Sequence, residues 1–402
     1  MRHVLILLSL LALPSLLRYF LPVSSFAAGA VAASLLALFL VRVPVRSRAI
    51  EHVSNSVFLM ALGALIVIHL CAAAMFESVS VFRALQSLPL AVFLVGAAIA
   101  ISPTLFERNA ARTAAIAFSI LLISAVLGIA GIAPPGAAVE LQIPVFPFTE
   151  PSHFAVAFTP LLLWATVLSR GRRRYACLFG GLAIAALMPS LTLLLGVVLI
   201  AAICLRAWQL AAALGACTVG LLVVAPDLTY FLDRIDLLGE VTNLSALVWI
   251  QGWQLSWDAI VSSHGWGLGF QQLGIAPTAS DVSDTISSMA GGDLNLLDGS
   301  FNFAKLTAEF GVFGVAAVAG YMVVVIAAMQ RLRAVALDYS KEEPGTVLAM
   351  AFVVGYVMDL FVRGGGYFNG TGVLAVAALI HLARRQRILR SHFRSRLASP
   401  LV

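Results

Sequence analysis

The chain has 402 residues, of which 61% are hydrophobic and only 11% charged, and its mean hydropathy is +1.00. A soluble domain carries about a quarter charged residues, so this composition excludes an ordinary soluble protein. The net charge of +6 comes without the interleaved basic and aromatic residues of a nucleic-acid reader, and no nucleic-acid partner is expected.

The hydrophobicity is arranged in blocks of roughly 15 to 25 residues, the length at which a helix crosses about 30 Å of hydrocarbon. In chain order they are 4–20, 25–41, 53–75, 84–101, 113–132, 151–168, 175–188, 190–205, 208–225, 302–329, 347–362 and 369–383. This pattern predicts an all-α polytopic membrane protein of about twelve transmembrane helices, a single integral membrane domain over 1–402. The opening run "MRHVLILLSLLALPSLLRYF" has no small-x-small cleavage site and reads as the first span. In "LMPSLTLLLG", Pro189 makes either a tight hairpin or a kink. Cys71, Cys177, Cys204 and Cys217 lie in apolar runs without metal-ligand spacing, which suggests neither disulfides nor a metal site.

With both termini in the cytoplasm, 20 of the 25 Lys and Arg residues fall inside, as the positive-inside rule requires. Arg18, Arg83, Arg234, Lys305 and Arg363 are left on the outer side or in its helix ends. That side also holds the long connections, 133–150 and, much the longest, 226–300. Loops of that length are usually functional, so chemistry is expected on the outer face.

Several outer stretches carry candidate residues. "FPFTEPSHFAVAF" opens the sixth span with Glu150, Pro151, Ser152 and His153. An acidic residue before a proline suits a helix start; equally, Glu150 and His153 share one face and make an acid-base pair. In the 226–300 loop, Arg234 stands between Asp233 and Asp236, where a surface ion network is the simpler reading. "NLSALVWIQGWQLSWDAIV" then spaces Trp249, Trp253 and Trp257 at helical intervals, with Asn243 or Ser245 as N-cap. This predicts an amphipathic helix that lies along the outer interface or packs on the rim of the bundle.

"SSHGWGLGFQQLG" follows, with Gly265, Gly267, Gly269 and Gly274 and a lone His264. It lacks the strand-turn-helix context of a dinucleotide site, and its glycines suit close approach to a neighbouring helix or a ligand. "NLLDGSFNFAKLTAEFGVFG" brings Asp298, Ser300, Lys305 and Glu309, the last two at i, i+4 as an ion pair or as charges facing a cavity. Finally "MDLFVRGGGYFNGTG" sets Arg363 beside Gly364, Gly365, Gly366 and Tyr367. Free backbone N–H groups beside a guanidinium make a concave anion site, and Asp359, one turn earlier, is the partner expected to hold Arg363.

Taken in order, "TEPSHFA", "NLSALVWIQGWQ", "GWGLGFQQLG", "DGSFNFAKLTAEFGVFG" and "FVRGGGYF" resemble the O-antigen polymerases (Wzy type) of Gram-negative bacteria, relatives of the O-antigen ligases. The likeness runs from about Phe148 to Asn369. It implies a glycosyltransferase C-type helical architecture and a multi-pass protein of the bacterial inner membrane. The implied activity is inverting glycosyl transfer on the periplasmic face between undecaprenyl-diphosphate-linked oligosaccharides, with no cofactor and no metal requirement, among membrane lipids and with a chain-length regulator as a possible partner. Arg234 and Arg363 are then the cations for the diphosphate, and Glu150, His153 or Asp298 the base. Ligases of this clan carry a histidine nine residues before the glutamate of the re-entering helix. Counted back from Glu309 this chain has Ser300, which counts against a ligase. A lipid-linked oligosaccharide flippase or other transporter is the rival of a different class; the sequence shows no internal repeat of the kind transporters commonly carry.

Overall fold

The computed structural model describes residues 1–21, 25–41, 49–76, 79–107, 109–136, 145–213, 215, 243–274, 281–290 and 301–398. Its helices, in chain order, are α1 (Arg2–Phe20), α2 (Ala27–Leu40), α3 (Ala49–Ala73), α4 (Val81–Phe106), α5 (Ala110–Ile129), α6 (Pro151–Leu168) and α7 (Arg172–Leu187). They continue with α8 (Leu191–Cys204), α9 (Leu244–Ser262), α10 (Asp281–Ala290), α11 (Asn302–Ala336), α12 (Pro344–Gly355), α13 (Val357–Phe361) and α14 (Gly370–Ala398). Among the described residues there is no strand, and seven segments are long and apolar enough to cross a membrane. The protein is an all-α membrane protein. Of the block 208–225 only a short, helical beginning is described.

Local chemistry sets the helix ends. Pro151 occupies the first turn of α6, after an extended Glu150 (φ −144, ψ 147), because its ring fixes a helical φ and its missing N–H would be unpaired there anyway. The Ser190 side chain accepts the Leu193 N–H at the start of α8. Only three residues separate α7 from α8, which pack together, so Pro189 sits in a tight hairpin.

Burial separates the centre of the bundle from its rim. In α6 and in α12 with α13, 72% and 78% of the apolar window is buried, against 17% in α3; the first two form the core and α3 faces outward. α12 packs on α6 and α14, α6 on α8, and α1 on α2. Without a hydrophobic drive between helices in lipid, such contacts rely on small residues that let backbones approach. Gly355 meets Pro160 in this way, and a Cβ on Gly370 would overlap the Leu10 carbonyl of α1.

α11 is broken at Gly311 (φ 55, ψ −133), and the glycine string lies across the break. Leu268 and Gly269 N–H donate to the carbonyls of Ala308 (2.9 Å) and Glu309 (2.8 Å), and Val312 N–H donates to Gly265 (2.9 Å). The groups freed by the break are thereby paired again, a condition for irregular backbone inside a membrane protein. The neighbours that these glycines approach are therefore helices of the same chain, α11 for Gly265 and Gly267 and α3 for Gly269.

Asn243 caps α9, its side chain accepting Ser245 N–H at 3.0 Å. α9 packs on α11; Trp249 Nε1 donates to the Phe361 carbonyl (2.9 Å), while Trp257 is 68% exposed. The tryptophan stripe thus runs from packed to exposed surface. At the opposite end of the bundle, Arg333 donates to the carbonyls of Ala202 (2.6 Å) and Leu205 (3.0 Å) at the end of α8, and Arg331 and Arg385 pair with Glu342.

Candidate functional site

The segment between α13 and α14 carries Arg363 and its glycines. Val362 and Arg363 N–H both return to the Met358 carbonyl (3.0 and 2.9 Å), which ends the helix, and the chain then turns away. Arg363 therefore leaves the helical face on which Asp359 sits. Its Nη2 instead donates to Glu150 Oε2 at 2.9 Å, joining this segment to the start of α6. The expected Asp359 partnership is thus corrected.

Asp359 is 2% exposed and holds the loop from beneath. It accepts from Thr371 Oγ1 (2.6 Å), from Asn369 Nδ2 (3.3 Å) and from the Gly365 N–H. The Gly365 amide is thereby committed, so the expectation that all three glycines offer free N–H groups fails at this position. Gly366 has a positive φ of 75, which turns the chain. A Cβ on Gly364 would stand 2.7 Å from the Asn302 nitrogen on α11.

Across from Arg363, Glu150 Oε2 also accepts from Ser152 Oγ (3.0 Å), and His153 Nδ1 lies 3.4 Å from Thr149 Oγ1. The His153 ring meets Phe26 edge to face, with centroids 4.8 Å apart at 81°. Burial alone would raise the Glu150 carboxyl. His153 in its charged form, the Arg363 guanidinium, the Ser152 hydroxyl and Arg18 outweigh burial and hold the carboxyl at about 2, below its ordinary 4.5.

A small cavity, open to one side, lies between these elements. Leu10, Leu11 and Pro14 of α1 with Val156 and Ala157 of α6 make its apolar wall; His153, Asp359, Arg363, Asn369 and Thr371 supply the polar one. Arg363 Nε is buried and has no hydrogen-bond partner among the described residues. The arrangement suits a ligand with an anionic group beside an apolar chain.

Other candidates sit elsewhere. Lys305 and Glu309 form a buried pair (3.9 Å), but Glu309 also accepts the N–H groups of Gln271 (2.9 Å) and Leu273 (3.4 Å), which makes it the anchor of the glycine string. Tyr367 stacks on Phe270 (6.1 Å, 11°) and lies 5.4 Å beneath Lys305 Nζ, tying the Arg363 segment to that string. His264 is exposed, with its ring 5.9 Å from Phe76, and is not among the residues lining the cavity. Arg234, Asp298 and Ser300 lie outside the described residues.

Sequence reasoning overlooked Phe26, Asn369 and Thr371, and gave Arg18 no role although the charge count had singled it out. An Asn-Gly-Thr-Gly run before an apolar block signals a helix cap, and Asn369 Oδ1 does accept Gly372 N–H. Among the described residues no three His, Cys, Asp or Glu side chains are grouped to hold a metal. No protein-family model matches the chain, and no characterised protein or solved structure does either.

Proposed function

We propose that this protein is a glycosyltransferase of the O-antigen polymerase kind, spanning the bacterial inner membrane about twelve times with both termini in the cytoplasm. It joins undecaprenyl-diphosphate-linked repeat units on the periplasmic face. The observation that carries this reading is the cavity, which brings Arg363, whose buried Nε–H has no partner among the described residues, together with an apolar wall at the ends of membrane-length helices. A lipid diphosphate has that combination of chemistries. The helix ends also support the orientation. The end of α1 and the starts of α2, α6 and α14 meet at the site, as alternating spans would bring them, while Arg331, Arg333 and Arg385 cluster at the other end.

In the reaction the acceptor hydroxyl attacks the anomeric carbon of the donor sugar. The new glycosidic C–O bond forms as the C–O bond to the diphosphate breaks, and that electron pair leaves on the diphosphate oxygen. Fixed donors stabilise a charge that develops in this way, and Arg363 supplies them. The hydroxyl proton passes to a base. Glu150 Oε2 is already taken by Arg363 and Ser152, and Glu150 is not among the residues lining the cavity, whereas His153 is; we therefore assign the base to His153 and make Glu150 the counter-ion of Arg363.

The test is deletion in a host that makes a long-chain surface glycan. Lipid A core capped with a single repeat unit is the expected result. Uncapped core with normal polymer would mean a ligase, and lipid-linked repeats trapped on the inner leaflet would mean a flippase.

A further inference from the structure

We propose that Arg18 is the second cationic arm of the site, so that Arg18 and Arg363 together hold the diphosphate of a lipid-linked sugar whose hydrocarbon chain lies along α1. The inference rests on the glycosyltransferase reading above. It begins from charge. With Glu150 bound to Arg363, and Asp359 packed beneath the same loop, Arg363 alone brings no net positive charge to an incoming dianion. A second cation is needed, and α1 provides one.

Arg18 lies in the last turn of α1, half-buried, with its guanidinium carbon 5.2 Å from the centroid of Phe26. Phe26 lines the cavity and touches His153, and the charge of Arg18 acts on both Glu150 and His153. Among the described residues Arg18 makes neither a hydrogen bond nor an ion pair, whereas Arg170, Arg331 and Arg385 each have a carboxylate. An arginine held against an aromatic ring keeps its donors for a phosphate.

The same helix supplies the tail's surface. Pro14, Leu11 and Leu10 precede Arg18 by four, seven and eight positions, which is one stripe of a helix, and all three line the cavity. Head and tail of one ligand are thus matched by a single face of α1.

The experiment measures binding to the purified full chain in nanodiscs, with farnesyl diphosphate, farnesyl monophosphate and inorganic pyrophosphate as probes. Arg18→Ala should weaken farnesyl diphosphate by about tenfold or more, since a charge-assisted contact is lost, and the monophosphate by far less. Arg18→Lys should retain most of the affinity, and Arg18→Gln, which keeps the stem without the charge, should lose it as alanine does and serves as the informative variant if Arg18→Ala fails to fold; wild-type affinity in Arg18→Gln would overturn the inference. Inorganic pyrophosphate should bind more weakly than the farnesyl ester; equal binding would overturn the role of the α1 wall. If Arg18→Ala and Arg18→Lys both match wild type while Arg363→Ala loses binding, the inference about Arg18 is wrong and the glycosyltransferase reading stands. If wild type binds none of the probes, both fall.

Discussion

Among the described residues Arg363 is the arginine that lines the cavity, and replacing it by alanine removes that guanidinium. Of its five N–H donors, one goes to Glu150 at 2.9 Å and the Nε–H is buried without a partner among the described residues. Loss of one fixed donor where charge develops costs about 10²–10³ in rate, or about 2.7–4 kcal/mol. Alanine here removes a charge as well, so kcat/KM should fall by about 10³. Arg363→Lys keeps a compact charge without the planar fork, for a loss on the order of tenfold. The fold should hardly respond. Glu150 is 40% exposed and regains water when its partner leaves, and pairs of this kind contribute only about 0–1 kcal/mol. The assay follows polymer length against time for the purified chain in nanodiscs supplied with lipid-linked repeat units, with melting temperature measured alongside. If Arg363→Ala keeps kcat/KM within about threefold of wild type at an unchanged melting temperature, the reasoning is refuted.

Glu150→Gln should tighten donor binding by about fivefold, because the carboxylate competes with the incoming anion, and leave kcat nearly unchanged; two like charges about 4 Å apart repel by about 4 kcal/mol at an effective dielectric of 20, and solvent at this part-exposed group reduces that to about 1. A fall in kcat of about 10² or more would instead make Glu150 the base. The same variant reports on pH. The folded carboxyl is depressed to about 2 from 4.5, so its contribution to stability is complete above about 4.5 and lost as pH falls towards 2. The melting difference between wild type and Glu150→Gln should be constant from pH 7 to 5 and shrink only below that. Gly311→Ala should destabilise by at least about 3 kcal/mol, from backbone strain and the loss of three hydrogen bonds to the 265–269 backbone, with faster proteolysis between 263 and 274. Gly320→Ala, where a Cβ meets nothing within 4 Å, is the control; equal effects of the two would show that the break is not held by glycine.

The helices were readable because each must bury a long apolar run, and that requirement is written locally; the block 151–168 coincides with α6 (Pro151–Leu168). Glu150, His153 and Arg363 could each be picked out for the same reason, as polar residues at the edges of such runs. Their arrangement could not. Asp359 looked like the partner of Arg363 because residues four apart meet on a helix, but α13 ends at Phe361 and the rule ends with it. The partner, Glu150, is 213 residues away, and nothing local marks it. The glycine string was legible as a place of close approach, whereas its destination, the break at Gly311, depends on a contact made about 45 residues further on.

What separates the arginines of the two ends is how their donors are used. Arg331, Arg333 and Arg385 close off helix carbonyls or answer carboxylates; a ligand binding these three would have to break contacts that already satisfy the protein. At the other end Arg363 is held by a single part-exposed carboxylate that an anion can displace, and Arg18 rests on a ring that takes none of its donors. Donors left unspent in a half-buried place cost desolvation free energy, and Arg83, also half-buried without a side-chain partner among the described residues, shares this feature but does not line the cavity. Unspent donors beside an apolar wall therefore point to a phosphorylated lipid more strongly than the positive charge alone does.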